Sequence, residues 1–207
     1  MIKNKTDYFF YKEADRIISG RVPKSFSVRL KLLLVPDPIG KFMCLLRAVE
    51  YYDNCSTGIA GKLKGKFYKQ QFRKTSLKLG FSIPPNVFGP GLFIPHYGTI
   101  VINAKARVGA NCVLHTSTCI TAKEGINIGD NFYFSTGSIL AGNIQLNDSV
   151  TVGANSLVNK SFTETNVLVG GSPAKVLRER KAWYLEDGNE YEQRVNKINE
   201  LKTSLYK

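Results

Sequence analysis

The sequence predicts a mainly β protein, a parallel β-helix of hexapeptide repeats with α-helices before and after it. Three observations support this prediction. Between residues 81 and 170, Gly, Asn, Ser, Thr and branched apolar residues dominate, and no stretch keeps a helical period. In the same region apolar residues recur at every sixth position, which is typical of a solenoid of short strands and turns. Outside it, apolar residues three or four apart indicate helices.

Residues 1–80 are predicted to form a basic α-helical N-terminal region. Its helices are expected at 5–19, 24–35, from Asp37-Pro38 to Tyr52, and at about 59–78. An aspartate followed by proline at the first turn is typical of a helix start. The last of these helices carries seven basic residues among aromatic ones. Two interpretations stay open for it, a solvated face or contact with anionic lipid headgroups or an acidic glycan carrier.

The β-helix is predicted over residues 81–170. Each six-residue step predicts one strand and one turn, three steps close a triangular coil, and stacked coils share a continuous core. An antiparallel sandwich would alternate with period two instead. Small residues four places after the apolar ones, such as Cys112 and Ser138, fit the corners. With two insertions of two residues, the inward positions are Ile94, Ile102, Val108, Leu114, Ile120, Ile128, Phe134, Leu140, Leu146, Val152 and Val158.

The stretch from Gly170 to Lys175 breaks the repeat. Residues 171–207 are predicted to form a loop and a C-terminal helical tail, with helical character from 175 to 207. We expect this tail to cap the end of the coil or to pack against a neighbouring subunit. Its apolar residues on roughly one side are Tyr191, Val195, Ile198, Leu201 and Leu205.

Charge is distributed unevenly along the chain, whose formal net charge is +13. Residues 1–80 hold 17 basic and 6 acidic side chains, residues 81–170 hold 4 of each, and residues 171–207 hold 8 and 6. Such a basic balance first suggests a nucleic-acid binder, but the predicted solenoid is neutral and carries no known nucleic-acid motif, so no nucleic-acid partner is expected. The cysteines lack metal-ligand spacing and no apolar stretch could span a bilayer, which predicts a reduced, cytoplasmic protein.

The only two histidines, His96 and His115, both lie in the predicted solenoid. In the coil register Ile94 and Leu114 are equivalent, so His115 lies one layer from Pro95, and layers are about 4.8 Å apart. We therefore expect the imidazoles to share one edge. A lone histidine is more often structural, but a pair on one edge favours acid–base chemistry. Two histidines are too few for a three-histidine zinc site, so no metal is expected.

Three segments resemble a known family. The segment Phe88–Ile102, which contains Ile94-Pro95-His96-Tyr97-Gly98-Thr99, is similar to the active-site segment of serine acetyltransferases. The segments Val152–Lys160 and Gly171–Lys175 resemble the end of hexapeptide acyltransferases generally. The resemblance covers about 81–180. It implies a left-handed parallel β-helix, a homotrimer, and acetyl-CoA bound in the groove between neighbouring prisms.

The resemblance also implies roles for individual residues. His96 falls on the catalytic histidine of that family. His115 is expected to be a backup base or an acceptor-binding group, and Tyr97 either stacks on the acceptor or simply packs. The cations among the expected cofactor-binding residues match the phosphates of CoA. The residues that fall on CoA-binding positions are Thr136, Ala154, Asn159, Lys160, Lys175 and Arg178.

The sequence departs from serine acetyltransferases on the side of the amino acid. Pro95 and Ser82 stand where the family has aspartates, and residues 121–126 lack its second histidine. With the basic helices, this pattern resembles the O-acetyltransferases of bacterial capsule and surface-polysaccharide clusters. It implies transfer of acetyl from acetyl-CoA to a sugar hydroxyl, with peripheral contact to the inner membrane face or to a lipid-linked glycan. The alternatives are a true serine acetyltransferase and a catalytically inert solenoid scaffold.

Overall fold

The computed structural model describes residues 1–21, 37–122, 124–186 and 188–207. Helices α1 (Lys5–Ile18), α2 (Pro38–Cys55) and α3 (Gly58–Leu79) precede a β-solenoid, and α4 (Trp183–Glu186) and α5 (Asn189–Leu205) follow it. The strands are β1 Phe81–Ser82, β2 Ile100–Ile102, β3 Ala106–Val108, β4 Val113–Leu114, β5 Thr118–Thr121, β6 Ile126–Ile128, β7 Tyr133–Phe134, β8 Ile139–Ala141, β9 Gln145–Leu146, β10 Val150–Val152, β11 Leu157–Val158, β12 Val167–Gly171 and β13 Ala174–Glu179.

The helices predicted at 5–19, 37–52 and 59–78 are confirmed, while the one predicted at 24–35 lies outside the described residues. The Asp37 side chain accepts a hydrogen bond from the Gly40 amide at 2.8 Å, so it caps α2 ahead of proline as predicted. Within the described ranges, no helix is long and apolar enough to cross a bilayer.

The strands stack into three parallel sheets, one on each side of the prism. Sheet A has the order β1-β2-β5-β8-β11, sheet B the order β3-β6-β9, and sheet C the order β4-β7-β10-β12-β13. All neighbours are parallel except β12 and β13. The predicted β-helix of hexapeptide repeats is therefore confirmed.

The interior of the prism is filled by the positions that the six-residue period selects. All eleven are buried, and none is more than 5% exposed. The small residues at the fourth place, among them Cys112, Thr118 and Ser138, are buried as well. Because each coil contributes its apolar side chains to one shared column, no coil could bury this surface alone.

The two insertions in the repeat are corners of different length. Val108 pairs with Ile128, twenty residues on, whereas Ile102 pairs with Ile120, eighteen residues on. Tight corners need left-handed backbone, which asparagine tolerates better than most residues. Asn111 and Asn131 adopt φ of 56° and 60° on adjacent layers, and the Asn111 amide donates to the Asn131 side chain at 3.1 Å.

The structure corrects two expectations about the C-terminal part. Residues 174–179 form a strand rather than helix, because β12 is the last parallel strand of sheet C and β13 pairs with its open edge. The tail helix α5 neither caps the coil end nor requires a neighbouring subunit for its apolar side. It packs within the same chain against α1 and the outer surface of sheet C, with Val195 and Ile198 buried beside Phe10 and Val113.

Candidate active site

Both histidines lie on the prism corner between sheets C and A, which we call the histidine edge. It comprises residues 95–99, 115–117, 135–137 and 153–155 on successive layers. Phe93 pairs with Val113 and Ile100 with Thr118, so the first corner is two residues longer than the corner above it. The extra length places the side chains of His96 and Tyr97 in solvent.

The predicted proximity of the two histidines is confirmed. The ring centroids of His96 and His115 are 6.3 Å apart, and the rings are inclined by 44°. His96 is exposed and His115 is half-buried. Among the described residues, His96 has no hydrogen-bond partner, so its two ring nitrogens are open to a substrate. The pair thus offers one accessible imidazole with a second one a single layer away.

Tyr133 is part of this site and was missed by the sequence analysis. Its hydroxyl lies 2.9 Å from Nε2 of His115, and the two ring centroids are 5.2 Å apart. The Arg180 guanidinium, directly after β13, lies 5.4 Å from the centroid of the Tyr133 ring. The coil register contained the signal, because Val113 and Tyr133 are equivalent positions and Val113 is two residues before His115. Because a tyrosine hydroxyl can donate to Nε2 or accept from it, this contact orients the His115 ring in either tautomer.

A buried ion network holds the segment that leads into the histidine edge. Arg47 of α2 donates to Asp15 of α1 at 2.7 Å and to Glu50 at 2.9 Å, and all three side chains are buried. Arg47 also donates to the carbonyls of Phe88 and Gly89 at 2.9 and 2.7 Å. Burial by itself lowers the pKa of Arg47, but the two carboxylates outweigh it and hold that pKa above its usual range.

The same carboxylates complete the network on the solenoid side. Asp15 accepts from the amides of Gly91 and Leu92 at 2.9 Å, and Glu50 accepts from the amide of Asn86 at 2.7 Å. The segment that ends at Ile94-Pro95-His96 is therefore hydrogen-bonded to both α1 and α2. This function of the helices leaves no signal in the sequence, because charged residues separated by many positions show no pattern.

The residues expected to bind CoA fall into two groups. Thr136 and Ala154 continue the histidine edge: the Gly137 amide donates to the Thr116 carbonyl and the Asn155 amide to the Thr136 carbonyl. Lys175, opposite Gly170 in the β12–β13 hairpin, is exposed near the far end of the same edge. The other residues lie elsewhere: Asn159 and Lys160 follow β11 at the corner after sheet A, and Arg178 pairs with Leu168 further along β13.

No group of three or more His, Cys, Asp or Glu side chains in the described part of the chain is arranged to hold a metal ion. The polar groups along the described histidine edge are instead imidazoles, hydroxyls, the carboxamide of Asn155 and backbone amides. This donor set is suited to proton transfer and to hydrogen bonding with a developing negative charge.

Fold and edge together define the class, a hexapeptide-repeat solenoid with two histidines on one edge. Curated proteins that share sequence with it include serine acetyltransferases of two staphylococci. A serine acetyltransferase of Staphylococcus xylosus is 35% identical over 98 residues, covering 44% of this chain and 45% of that protein. The serine acetyltransferase of Staphylococcus aureus strain N315 is 34% identical over 98 residues, covering 44% and 46%. The aligned stretch spans about half the length of these relatives.

A solved structure extends the likeness to the whole fold. Serine acetyltransferase from Brucella abortus strain S19 in complex with coenzyme A has a TM-score of 0.62 and 20% identity, and the match covers 86% of this chain and 70% of that one. No family model matches the chain. In fold and in sequence, this protein is serine-acetyltransferase-like, as the resemblance in the sequence implied.

Proposed function

We propose that the protein is an acetyl-CoA-dependent O-acetyltransferase whose chemistry takes place at the histidine edge. The observation that carries this proposal is the placement of the exposed His96 ring 6.3 Å from His115 on one edge of the solenoid. The likeness to a serine acetyltransferase complexed with coenzyme A supports acetyl-CoA as the acetyl donor. A catalytically inert scaffold would have no need for two adjacent imidazoles on a solvent-facing edge.

In the proposed mechanism, His96 accepts the proton of an acceptor hydroxyl as the hydroxyl oxygen attacks the thioester carbonyl. Backbone amides of the adjacent coil hold the oxyanion of the tetrahedral intermediate. The carbon–sulfur bond then breaks, the ester is released, and the CoA thiolate takes the proton from the His96 imidazolium. His115, held by Tyr133, orients the acceptor or serves as a second base. A positioned general base contributes about 10²–10⁴-fold to the rate.

L-serine is the acceptor that the comparisons support best, because both curated relatives are serine acetyltransferases. The sugar hydroxyl of a capsule or surface polysaccharide is the second candidate. It is favoured by two departures from the resemblance, since Pro95 and Ser82 stand where aspartates are implied. Tyr97 also exposes an aromatic ring next to His96 in the chain.

Thiol titration with acetyl-CoA decides between the acceptors. The chain is incubated with L-serine, and separately with a panel of free and nucleotide-linked sugars, and release of CoA thiol is followed. Fast serine-dependent release, abolished in His96→Asn, establishes serine acetyltransferase activity. Release with a sugar but not with serine establishes the sugar acceptor. Absence of release with every acceptor and intact folding would favour the scaffold and overturn the proposal.

We propose further that the enzyme is a homotrimer in which sheet A faces a neighbouring protomer. The outward residues of sheet A form an apolar row in register across adjacent strands, Val101, Cys119, Ile139 and Leu157. Sheet C is covered by α1 and α5, whereas Val101 and Ile139 are exposed. The histidine edge borders this row, and Lys160 lies at its other margin. A closed ring with head-to-tail contacts would bring the two margins of neighbouring protomers together.

A further inference from the structure

Helix α3 carries an unusual concentration of one charge. Between Gly58 and Leu79 it has seven basic residues and no acidic one. All seven basic side chains are exposed, and Lys69 pairs with Asp53 of α2 at 2.8 Å. The other six form no ion pair with any described residue, so most of this charge is available to a partner. The basic residues are Lys62, Lys64, Lys66, Lys69, Arg73, Lys74 and Lys78.

The same helix exposes a row of large apolar side chains. Ile59, Leu63, Phe67 and Leu77 are between 58% and 80% exposed. At about 100° per residue they fall within an arc of about 80°. By the same geometry Lys62, Lys66 and Arg73 border this arc on one side and Lys64 and Lys78 on the other, while Gln70 and Lys74 lie within it. We call the four apolar residues and their flanking cations the α3 outer face.

The α3 outer face points away from the protein. The opposite side of the helix packs on α2, where Tyr68 stacks on Tyr52 and Phe72 on Phe42 with ring centroids 5.1 and 5.2 Å apart. Because that inner side is apolar too, the amphipathic pattern is weak in the sequence. Only the packing shows that four of the apolar side chains stay more than half exposed, although the Phe67 ring also makes an edge contact with the neighbouring Tyr68.

We propose that the α3 outer face docks on an anionic lipid bilayer, whether or not the proposed acetyl transfer is correct. The apolar row enters the boundary between headgroups and acyl chains, and the flanking cations contact lipid phosphates. A second copy of this helix fits the face poorly, because the seven like charges would oppose one another without any acid on the helix to offset them. A bare phosphodiester backbone would use the cations but leave the four apolar side chains exposed to water.

The docked helix would lie directly beside the histidine edge. The Gly98 amide, two residues after His96, donates to the carbonyl of Leu79 at the end of α3 at 3.0 Å. Gly80 follows with φ of 78°, and a Cβ at this position would approach the Gly98 backbone to 3.2 Å. The close junction gives the lipid surface a short path to the candidate active site.

Vesicle co-sedimentation of the full chain tests the proposal. We expect binding to vesicles of equal parts phosphatidylglycerol and phosphatidylcholine to be at least about a hundredfold tighter than to pure phosphatidylcholine, and to weaken with added salt. The variant Leu63→Gln/Phe67→Gln should bind at least about tenfold more weakly. Its matched control, Leu177→Gln/Leu185→Gln, removes exposed apolar side chains elsewhere and should leave binding unchanged.

A second pair of variants separates local charge from net charge. Lys62→Gln/Lys66→Gln/Arg73→Gln should lose about a hundredfold in affinity for the anionic vesicles, whereas Lys181→Gln/Lys197→Gln/Lys207→Gln, with the same change in net charge, should not. The proposal would be overturned if the chain bound neutral vesicles equally well or bound no vesicles at all. It would also be overturned if both members of either variant pair lost the same affinity. Tighter binding to duplex DNA, or a Leu63→Gln/Phe67→Gln variant whose oligomeric state changes without lipid, would likewise overturn it. Thermal melting that matches the parent shows that each variant folds.

Discussion

The solenoid and the helical region before it bury polar groups in opposite ways. Inside the prism the buried polar side chains of the described residues are uncharged, such as Thr118, Ser138 and Ser156, whereas the helical region buries Asp15, Arg47 and Glu50. On the surface, the solenoid sequence is neutral and the helices carry the excess positive charge. A periodic core needs no specific ionic contacts, because each coil repeats the same packing. The attachment of the N-terminal helices to the solenoid, in contrast, depends on a few specific ionic contacts.

The sharpest test of this division concerns the chemistry assigned to the solenoid. We expect His96→Asn to lower acetyl transfer by about 10²–10⁴-fold, since it removes the proposed general base while preserving a polar side chain. Release of CoA thiol from acetyl-CoA measures the effect. Lys197→Gln, on the exposed side of α5, serves as the control that should retain full activity. Activity within a few-fold of the parent would assign the base elsewhere, with His115 as the first candidate.

The next effect concerns the attachment of the two regions. Arg47→Ala leaves Asp15 and Glu50 as uncompensated buried charges and should lower the free energy of unfolding by about 3–5 kcal/mol. Arg16→Ala, which breaks the partly exposed pair with Glu13, should cost less than about 1 kcal/mol. Urea denaturation of the two variants measures the difference. Equal losses would mean that the buried network contributes no more than a surface ion pair.

A smaller effect is expected at the contact between His115 and Tyr133. Tyr133→Phe keeps the ring under Arg180 and removes only the hydroxyl. Because the lost hydrogen bond contributes about 1 kcal/mol, we expect kcat to fall roughly fivefold. The comparison variant Tyr184→Phe loses a hydroxyl on the same side of the molecule but away from the histidines, and should be silent. A fall in kcat/KM through a rise in KM, with kcat unchanged, would assign His115 to acceptor binding instead of proton transfer.

The smallest expected effect concerns the reactivity of two thiols, one inside the prism and one on its outer surface. Cys112 lies in the prism interior, where burial raises the pKa of its thiol, so it should stay unmodified by iodoacetamide until the chain unfolds. Cys119 lies on the outer surface of sheet A, and we expect it to react in dilute protomers and to be protected in the trimer. Mass spectrometry of alkylated peptides at two protein concentrations reports both. Equal modification of Cys119 at every concentration would contradict a trimer formed through sheet A.

Most of the solenoid was predictable from residue order alone. The six-residue period identified the inward positions from Ile94 to Val158, and the same register placed His115 one layer above the first corner. The pattern failed where contacts are not periodic. Strand β13 lies outside the repeat and its Val176 and Leu177 are exposed, so no buried periodicity marks it, and only the open edge of β12 accounts for it.

The sequence by itself determined the repeat, the neutral solenoid joined to basic helices, and the pairing of two histidines. These features are local, since a six-residue step repeats the same strand and corner wherever it occurs. Tertiary structure alone decided that Arg47 joins Asp15, which is 32 residues away, and that Asp15 reaches Gly91 across 76 residues. It also decided which side of α3 remains uncovered. Such contacts depend on how separate elements pack, and the spacing of residues along the chain does not specify that packing.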